Sequence, residues 1–237
     1  MRRIQTVLGS ALLALACSSQ KPAAKLDDSG LARLNESQME PVDEARIEEG
    51  RAQDAVSRAR ANEADARARL EVAKSERGVA DAQLKRAQAE RDLLKKQYAD
   101  KDKMAEVEQE IAGAQGRIRA TDLKLRYLQQ MIGVAESERR LAEAHVGTAK
   151  ALTDQAKLRA MRAGNAPEAA SVNAGDIDRR VADYQGQEAN LRKEAAQRRS
   201  DAVDLYNRWQ QADASARTLA RPSTLSVPPP TGEPTTH

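Results

Sequence analysis

Cys17 is the only cysteine of the chain, and its thiol is the strongest nucleophile in the sequence. It follows two N-terminal arginines, a ten-residue apolar run from Val7 to Ala16, and the small-residue string Ala14-Leu15-Ala16. A charged start, a short apolar run and a small-residue exit are the parts of a secretory signal peptide. The run is too short for a transmembrane helix, which needs roughly 20 apolar residues. The sequence therefore predicts a signal peptide over residues 1–16, cleaved between Ala16 and Cys17.

Two fates of Cys17 fit this signal. Ala14-Leu15-Ala16 satisfies the rule for ordinary cleavage, which would give a soluble exported protein with a free N-terminal cysteine. The string Leu13-Ala14-Leu15-Ala16-Cys17 also resembles the lipobox of bacterial lipoproteins, with Ala14 and Leu15 in the reverse of the usual order. In that family the thiol receives a diacylglyceryl group and the new amino group is acylated. Because a free exposed thiol is a liability in an oxidising compartment, we favour lipidation of Cys17.

The same resemblance implies a location. In enteric members of the family, an Asp directly after the cysteine retains the protein in the inner membrane. This chain has Ser18 at that position. The resemblance therefore implies an anchor of palmitate-type acyl chains in the outer membrane, with the protein facing the periplasm or the cell surface.

Little else in the sequence is suited to catalysis or metal binding. Of the two histidines, His145 lies on an apolar line of a predicted helix, where we expect a packed or half-exposed imidazole, and His237 is the last residue. The acidic residues Glu106, Glu108 and Glu110 would point to different sides of a helix. The sequence contains no phosphate-binding loop, no G-x-S-x-G motif and no H-E-x-x-H motif. We expect no enzyme, no catalytic residue, no cofactor and no metal.

Composition favours thin helix-on-helix packing. Aromatic residues make up 2% of the chain, Phe is absent and 32% of the residues are charged. Burying an Ala contributes about 0.8 kcal/mol, against about 1.5–3 kcal/mol for Leu or Val, so an alanine-rich chain builds narrow cores. Acidic and basic residues alternate, and removal of residues 1–16 lowers the net charge from +3 to +1. This pattern argues against nucleic acid as a partner.

Apolar residues recur at heptad spacing over three stretches, about 37–98, 104–163 and 176–221. Large and small residues alternate along the first, which lets two helices approach closely. The second carries two apolar lines, so we expect a helix with two neighbours. The line of the first stretch is Ala52, Val56, Ala59, Glu63, Ala66, Leu70, Ala73, Arg77, Ala80, Leu84, Ala87, Arg91, Leu94 and Tyr98. The sequence predicts an all-α fold of long coiled-coil helices.

The ends of these helices carry recognisable signals. Ser37 and Glu40 have the spacing of a capping box, with Ser37 as the N-cap. Gly164 suits the left-handed position after a helix, and Pro167 cannot continue one. Asp176 is the predicted N-cap of the last helix.

The polar break at 99–103 has two interpretations. The chain could reverse there and form an antiparallel hairpin about 90 Å long, at 1.5 Å per residue. It could instead continue as one helix over about 38–163, with the change of phase absorbed as a stammer. The absence of Gly and Pro favours continuity, whereas the need to bury the first apolar line favours reversal. We favour the hairpin, with the third helix beside its open end, giving a three-helix base and a two-helix protrusion.

The two ends of the chain lack heptad spacing. Residues 17–36 are polar and mixed, which predicts a lipidated flexible tether. Residues 222–237 contain five of the eight prolines, which predicts a disordered tail prone to the polyproline II conformation.

Tyr206 and Trp209 are the side chains best suited to contact a partner. Trp209, the only Trp, lies on the apolar line of the third helix, which favours a place in the core. Exposed Trp and Tyr are also common anchors in protein interfaces. We favour the core for Trp209 and retain both residues as candidate partner contacts.

The chain resembles the alanine-rich coiled-coil envelope lipoproteins of Gram-negative bacteria in its signal, in Cys17 and in its heptads. The resemblance implies a non-enzymatic, lipid-anchored scaffold that contacts the membrane through Cys17, and envelope proteins or its own copies through its helical seams. The simplest member ends in a lysine joined to peptidoglycan, whereas this chain ends in Thr235-Thr236-His237, which leaves peptidoglycan an unsupported partner.

Two other functions remain open. An amphipathic helical protein that binds lipid or envelope surfaces would need a wide apolar face rich in Leu, Phe and Trp, whereas the first helix has an alanine-rich stripe. An accessory hairpin of an envelope transport complex would look similar in its helices. The adaptors of such complexes also carry β-rich lipoyl-like domains, and this sequence has no strand pattern.

Overall fold

The structure is a computed structural model that describes residue 26, residues 28–97 and residues 100–219. Three long helices form this part of the chain: α1 (Glu36–Lys96), α2 (Lys101–Ala163) and α3 (Ala174–Leu219). Short 3-10 helices lie over Asp28–Arg33 and Pro167–Ser171, and these described residues contain no strand. The prediction of an all-α fold of long coiled-coil helices is confirmed. The predicted signal peptide, Cys17 and the Pro-rich segment 222–237 lie outside the described residues.

The first two long helices form an antiparallel hairpin. Arg77 Nε donates to Asp122 Oδ1 at 2.7 Å, and further from the turn Arg139 Nε donates to Glu63 Oε2 at 2.8 Å. Residues later in α1 thus face residues earlier in α2, so the chain reverses between Lys96 and Lys101. With 61 residues in α1, the hairpin is about 92 Å long at 1.5 Å per residue.

Helix α3 packs along the other side of α2 and runs antiparallel to it. Arg140 donates to Glu194 at 2.6 Å, and Gln155, nearer the open end, donates to Asp178 at 2.6 Å. At its other end α3 stops at Leu219 beside Gly116, where a Cβ on the glycine would lie 3.3 Å from the Ala216 backbone. The first fifteen residues of α2 extend beyond this point together with α1. The predicted three-helix base and two-helix protrusion are therefore confirmed.

Small residues let α1 approach α2. Ala52, Ala59, Ala73, Ala80 and Ala87 are buried, and they recur every seven residues or at multiples of seven. Every predicted position of the first apolar line from Ala52 to Leu94 is buried or half-buried, and Tyr98 lies outside the described residues. Two of its charged members, Glu63 and Arg77, pair with Arg139 and Asp122 of α2, and these pairs help to fix the register of the hairpin.

A compact apolar cluster closes the base. Leu31, Leu158, Met161, Ala166, Ala169 and Ile177 form it, with Met161 fully buried. Leu31 belongs to the N-terminal 3-10 helix, and Asp28 of that helix accepts a hydrogen bond from Lys157 at 2.8 Å. Residues 28–35 are thus packed against the base, and the prediction that the flexible tether extends to residue 36 is wrong. Leu31 fills the gap at the end of the helices. Its neighbours in the sequence are mostly polar, so composition alone does not predict its burial.

The start of α1 differs from the prediction by two residues. Asn35 is the N-cap: its Oδ1 accepts the Gln38 N–H at 3.0 Å, and its own N–H donates to Gln38 Oε1 at 3.1 Å. The predicted N-cap, Ser37, lies inside the helix and donates its hydroxyl to Asn35 Oδ1 at 2.8 Å. Asn35 and Gln38 have the same spacing as Ser37 and Glu40, so sequence alone offered two capping boxes.

Two other cap predictions are also wrong. At the end of α2, Asn165 has the left-handed conformation with φ 54°, whereas Gly164 has φ −85°. Asn tolerates this conformation because its short amide side chain can hydrogen-bond locally. Asn173 precedes α3 and accepts the Gly175 N–H at 3.0 Å, so Asp176 lies in the first turn and not at the cap.

The ion pairs between helices predict a loss of stability in acid. Hydrogen bonds from Arg140, and then from Arg198, hold the pKa of Glu194 below its ordinary value of 4.5. The unfolded chain therefore binds a proton more readily, and this stabilisation, complete above pH 4.5, is lost as pH falls through the lower folded pKa. We expect the melting temperature measured by circular dichroism to fall between about pH 5 and pH 3. Glu194→Gln should show a shallower fall, and an unchanged pH profile would contradict the role of this pair.

Candidate functional site

Three of the five aromatic residues of the chain form one cluster between α2 and α3. The rings of Tyr127 and Trp209 are stacked, with centroids 5.8 Å apart and planes inclined by 14°. Tyr206 lies edge-on to both, at 5.4 Å from Tyr127 and 5.5 Å from Trp209. Such pairs contribute about 0.5–1.5 kcal/mol beyond the area they bury, so the cluster fixes α3 against α2 at this level.

Helical spacing and one lysine position this cluster. Tyr206 and Trp209 are three residues apart, which places them on one face of α3. Lys124, one turn before Tyr127 on α2, lies with its Nζ 5.8 Å from the centre of the Trp209 ring. The same Nζ donates to Glu76 of α1 at 2.5 Å. Lys124 therefore connects all three helices through a cation–π contact and an ion pair.

A groove runs over α2 between α1 and α3 at this level. It consists of two adjoining depressions of about 540 and 470 Å³ that share Lys124 and Trp209. On the α1 side, the exposed fractions of Val72 and Val79 are 59% and 58%, and on the α3 side that of Tyr206 is 41%. We call this feature the aromatic groove and define it by Val72, Val79, Lys124, Tyr127, Tyr206 and Trp209.

Three ion pairs and Arg117 lie at the rim of the aromatic groove. Arg69 is 2.8 Å from Asp65, and Arg217 is 2.7 Å from Asp213. Lys124 is paired with Glu76, as described above. An apolar floor with a polar rim is the usual arrangement of a binding surface. The groove can therefore bind an apolar segment while these three ion pairs stay intact.

The structure brings together the two predicted contact residues, Tyr206 and Trp209. Trp209 stacks on Tyr127 and its ring also lines the groove, and its contact with a partner stays a prediction. The other predicted site residues, Ala16 and Cys17, lie outside the described residues. His145 is half-exposed, with Nδ1 3.3 Å from Glu188 Oε2.

Sequence reasoning missed Tyr127 and Lys124 as members of this site. Tyr127 is one residue of the two apolar lines predicted for the second stretch, and in sequence Lys124 resembles any other charged surface residue. The spacing of Lys124 and Tyr127 places them on one face of α2, which is a signal. Which residues of α3 they meet depends on the packing register between the helices, and the sequence does not specify it.

The described residues offer this groove and little reactive chemistry. Among them, no group of three or more His, Cys, Asp or Glu side chains is placed to hold a metal ion. None of the described helices combines the length and the apolar character needed to cross a bilayer. No family model, no curated protein and no solved structure matches the chain. What the arrangement offers is a surface for binding, on a long rigid support.

Proposed function

We propose that the protein is a non-enzymatic, lipid-anchored coiled-coil lipoprotein of the bacterial cell envelope. It acts as a structural or protein-interaction scaffold, held in the outer membrane through Cys17 and facing the periplasm or the cell surface. The observation that carries this proposal is the position of the N-terminal segment. Leu31 is buried against Met161, and Asp28 pairs with Lys157, so the chain enters the fold at the base.

This entry point sets the direction of the molecule relative to an anchor. From Cys17 to Asp28 the chain can extend at most about 40 Å, at 3.3–3.6 Å per residue. A lipid on Cys17 would therefore keep the base near the membrane. The hairpin would carry its turn about 92 Å further out, since α1 has 61 residues. A rod held at one end and free at the other suits a protein that reaches partners at a distance.

The free end of the hairpin supports an interaction role. Beyond the end of α3, α1 and α2 form a two-helix tip, made of residues 85–96 and 101–115. Leu93 lies on this tip with 55% of its surface exposed. The same tip supports the second candidate function, an accessory hairpin of an envelope transport complex, because such a hairpin would be gripped at its turn.

One experiment tests the anchor and the reach together. A photo-crosslinking amino acid is placed at Leu93 on the tip, or at Gly78 in α1 before the tip. At Gly78 no atom outside the helix's own backbone would lie within 4 Å of an added Cβ. Both versions are expressed in cells with either the native chain or Cys17→Ala, and clickable palmitate is supplied. We expect the native chain to carry the label, to sediment with membranes and to form a discrete adduct from Leu93 but not from Gly78.

The Cys17→Ala variant separates the parts of the proposal. It should lose the label, membrane sedimentation and the adduct from Leu93, because the tip is no longer held at a fixed distance from the membrane. A Cys17→Ala protein that still sediments with membranes would refute the lipid anchor. Equal adducts from Leu93 and Gly78 would refute a specific role for the tip.

A further inference from the structure

The aromatic groove extends back from the point where α3 ends. Trp209 lies ten residues before Leu219, and Tyr206 lies thirteen, so the two rings are about 15 and 20 Å from the end of the helix at 1.5 Å per residue. Asp213 and Arg217 line the groove between these rings and that end. The chain that follows Leu219 therefore starts at one mouth of the groove.

We propose that the C-terminal segment Thr224–Pro230 of the same chain binds in the aromatic groove as a polyproline II segment. Its sequence is Thr-Leu-Ser-Val-Pro-Pro-Pro. Aromatic-lined grooves bind Pro-rich segments because proline rings pack flat on aromatic faces, and because a preformed polyproline II segment loses little entropy on binding. This inference does not depend on the lipid anchor.

Composition singles out this segment as the occupant. Three of the five aromatic residues of the chain lie in the groove, and five of its eight prolines follow residue 221. Aromatic residues and prolines are rare in the rest of the sequence. Tyr206 and Trp209 come shortly before the end of α3, and five of the prolines come after it.

The lengths also agree. If residues 220–223, which include Pro222, reverse the chain, the segment from Thr224 runs back along α3. At 3.1 Å per residue, Pro228 and Pro230 then lie about 12 and 19 Å along it, at the level of Trp209 and Tyr206. A shorter tail would stop before the rings.

The charges at the rim favour this uncharged segment as the occupant over a helix from a second copy of the chain. Apart from Arg117, the charged groups at the rim already have partners, as Arg69 does in Asp65 and Arg217 in Asp213. A charged helix would have to break these pairs or place its own charges without partners. Residues 222–232 carry no charged side chain, so they fill the groove without disturbing its rim.

The connection to α3 adds to the binding. A short linker gives an effective concentration in the millimolar range, so even weak contacts keep a tethered segment bound. An untethered Pro-rich partner of equal intrinsic affinity would have to reach that concentration in order to compete.

Trp209 provides the readout, because it is the only Trp of the chain. Acrylamide quenching of its fluorescence is measured for the full chain in mild detergent and for a chain that ends at Arg221. We expect the quenching constant to rise about twofold on truncation, with a shift of emission to longer wavelength, because the docked segment covers the ring. A synthetic peptide of residues 222–232 added to the truncated chain should restore protection, and a scrambled peptide should not.

Point variants keep the test independent of truncation. The triple variant Pro228→Ser, Pro229→Ser and Pro230→Ser should behave like the truncated chain, while Pro234→Ser, outside the bound segment, should behave like the native chain. Circular dichroism verifies that the helices are unchanged. Equal quenching constants for the full chain, the truncated chain and the triple variant would overturn the proposal. Protection that increases with protein concentration would also overturn it, because the occupant would then be the tail of a second copy.

Discussion

Met161→Ala is expected to lower the free energy of unfolding by about 2–5 kcal/mol, the range for removing a large buried aliphatic side chain. Met161 is fully buried at the base, where it contacts Leu31 and lies against Gly30 so closely that a Cβ there would come within 3.3 Å of its sulfur. Its removal leaves a cavity between α2 and the N-terminal 3-10 helix. Urea denaturation followed by circular dichroism measures the change.

Leu93→Ala is the matched control for this substitution. It also removes a large aliphatic side chain, but Leu93 lies on the tip and is mostly exposed. We expect a change of less than about 0.5 kcal/mol, as for surface substitutions in general. If the two variants were equally stable, the base cluster would not be the main core of the fold.

Glu63→Arg is expected to destabilise the hairpin by about 1–3 kcal/mol, because it removes one of the two carboxylates that accept hydrogen bonds from the half-buried Arg139 and puts a positive charge in its place. Glu63 accepts hydrogen bonds from Arg139 of α2 at 2.8 Å and from Arg67 at 2.6 Å. The substitution places three positive charges together at the interface of α1 and α2. Thermal denaturation by circular dichroism should show a lower melting temperature.

A charge exchange tests whether this effect comes from the register of the hairpin. Adding Arg139→Glu to Glu63→Arg restores opposite charges across the interface but leaves like charges beside Glu143 and Arg67, so it should recover part of the lost stability. Glu71→Arg is the control, because Glu71 pairs only with Lys74 on the same exposed face, and such pairs contribute about 0.2–0.5 kcal/mol. If the effects of the two single substitutions simply added in the double variant, Glu63 and Arg139 would not face each other.

The long helices and their hairpin could be predicted because heptad spacing reports directly on burial. The line from Ala52 to Leu94 repeats for six heptads, so single exceptions such as Glu63 and Arg77 do not obscure it. The reversal was the less certain part of the prediction, since no Gly or Pro marks it. The argument that the alanine-rich line must be buried against a second helix predicted the hairpin correctly. Alanines contribute little to stability unless two helix backbones approach closely.

The ends of the elements were less predictable, because each depends on one or two hydrogen bonds. Asn35 and Ser37 both start a capping box, and only the position of the base decides between them. Leu31 lies among polar residues, so its burial follows from a gap that exists once α2 and α3 are in place. The residues around Leu31 in the sequence give no signal of that gap.

The candidate site was predicted in part. Tyr206 and Trp209 could be identified because aromatic residues are rare in this chain and are common anchors in protein interfaces. The aromatic groove itself could not be predicted, because it exists only where α1 and α3 pack on two sides of α2. Its depth depends on the angle between those two interfaces, and heptad spacing on single helices leaves that angle undefined.

In an antiparallel hairpin, the sequence separation of contacting residues increases from the turn to the base, and this has a consequence for how the protein folds. Contacts next to the turn close short loops, whereas the hydrogen bond from Thr153 to the Ala45 carbonyl joins residues 108 positions apart. Loop-closure entropy rises only with the logarithm of loop length, so each further turn of helix costs little once its neighbour has formed. We therefore expect the hairpin to close from the turn toward the base, with the burial of Leu31 and Met161 as the last step. On this expectation, Asp28 and Leu31 take their places only in a molecule whose helices are already paired.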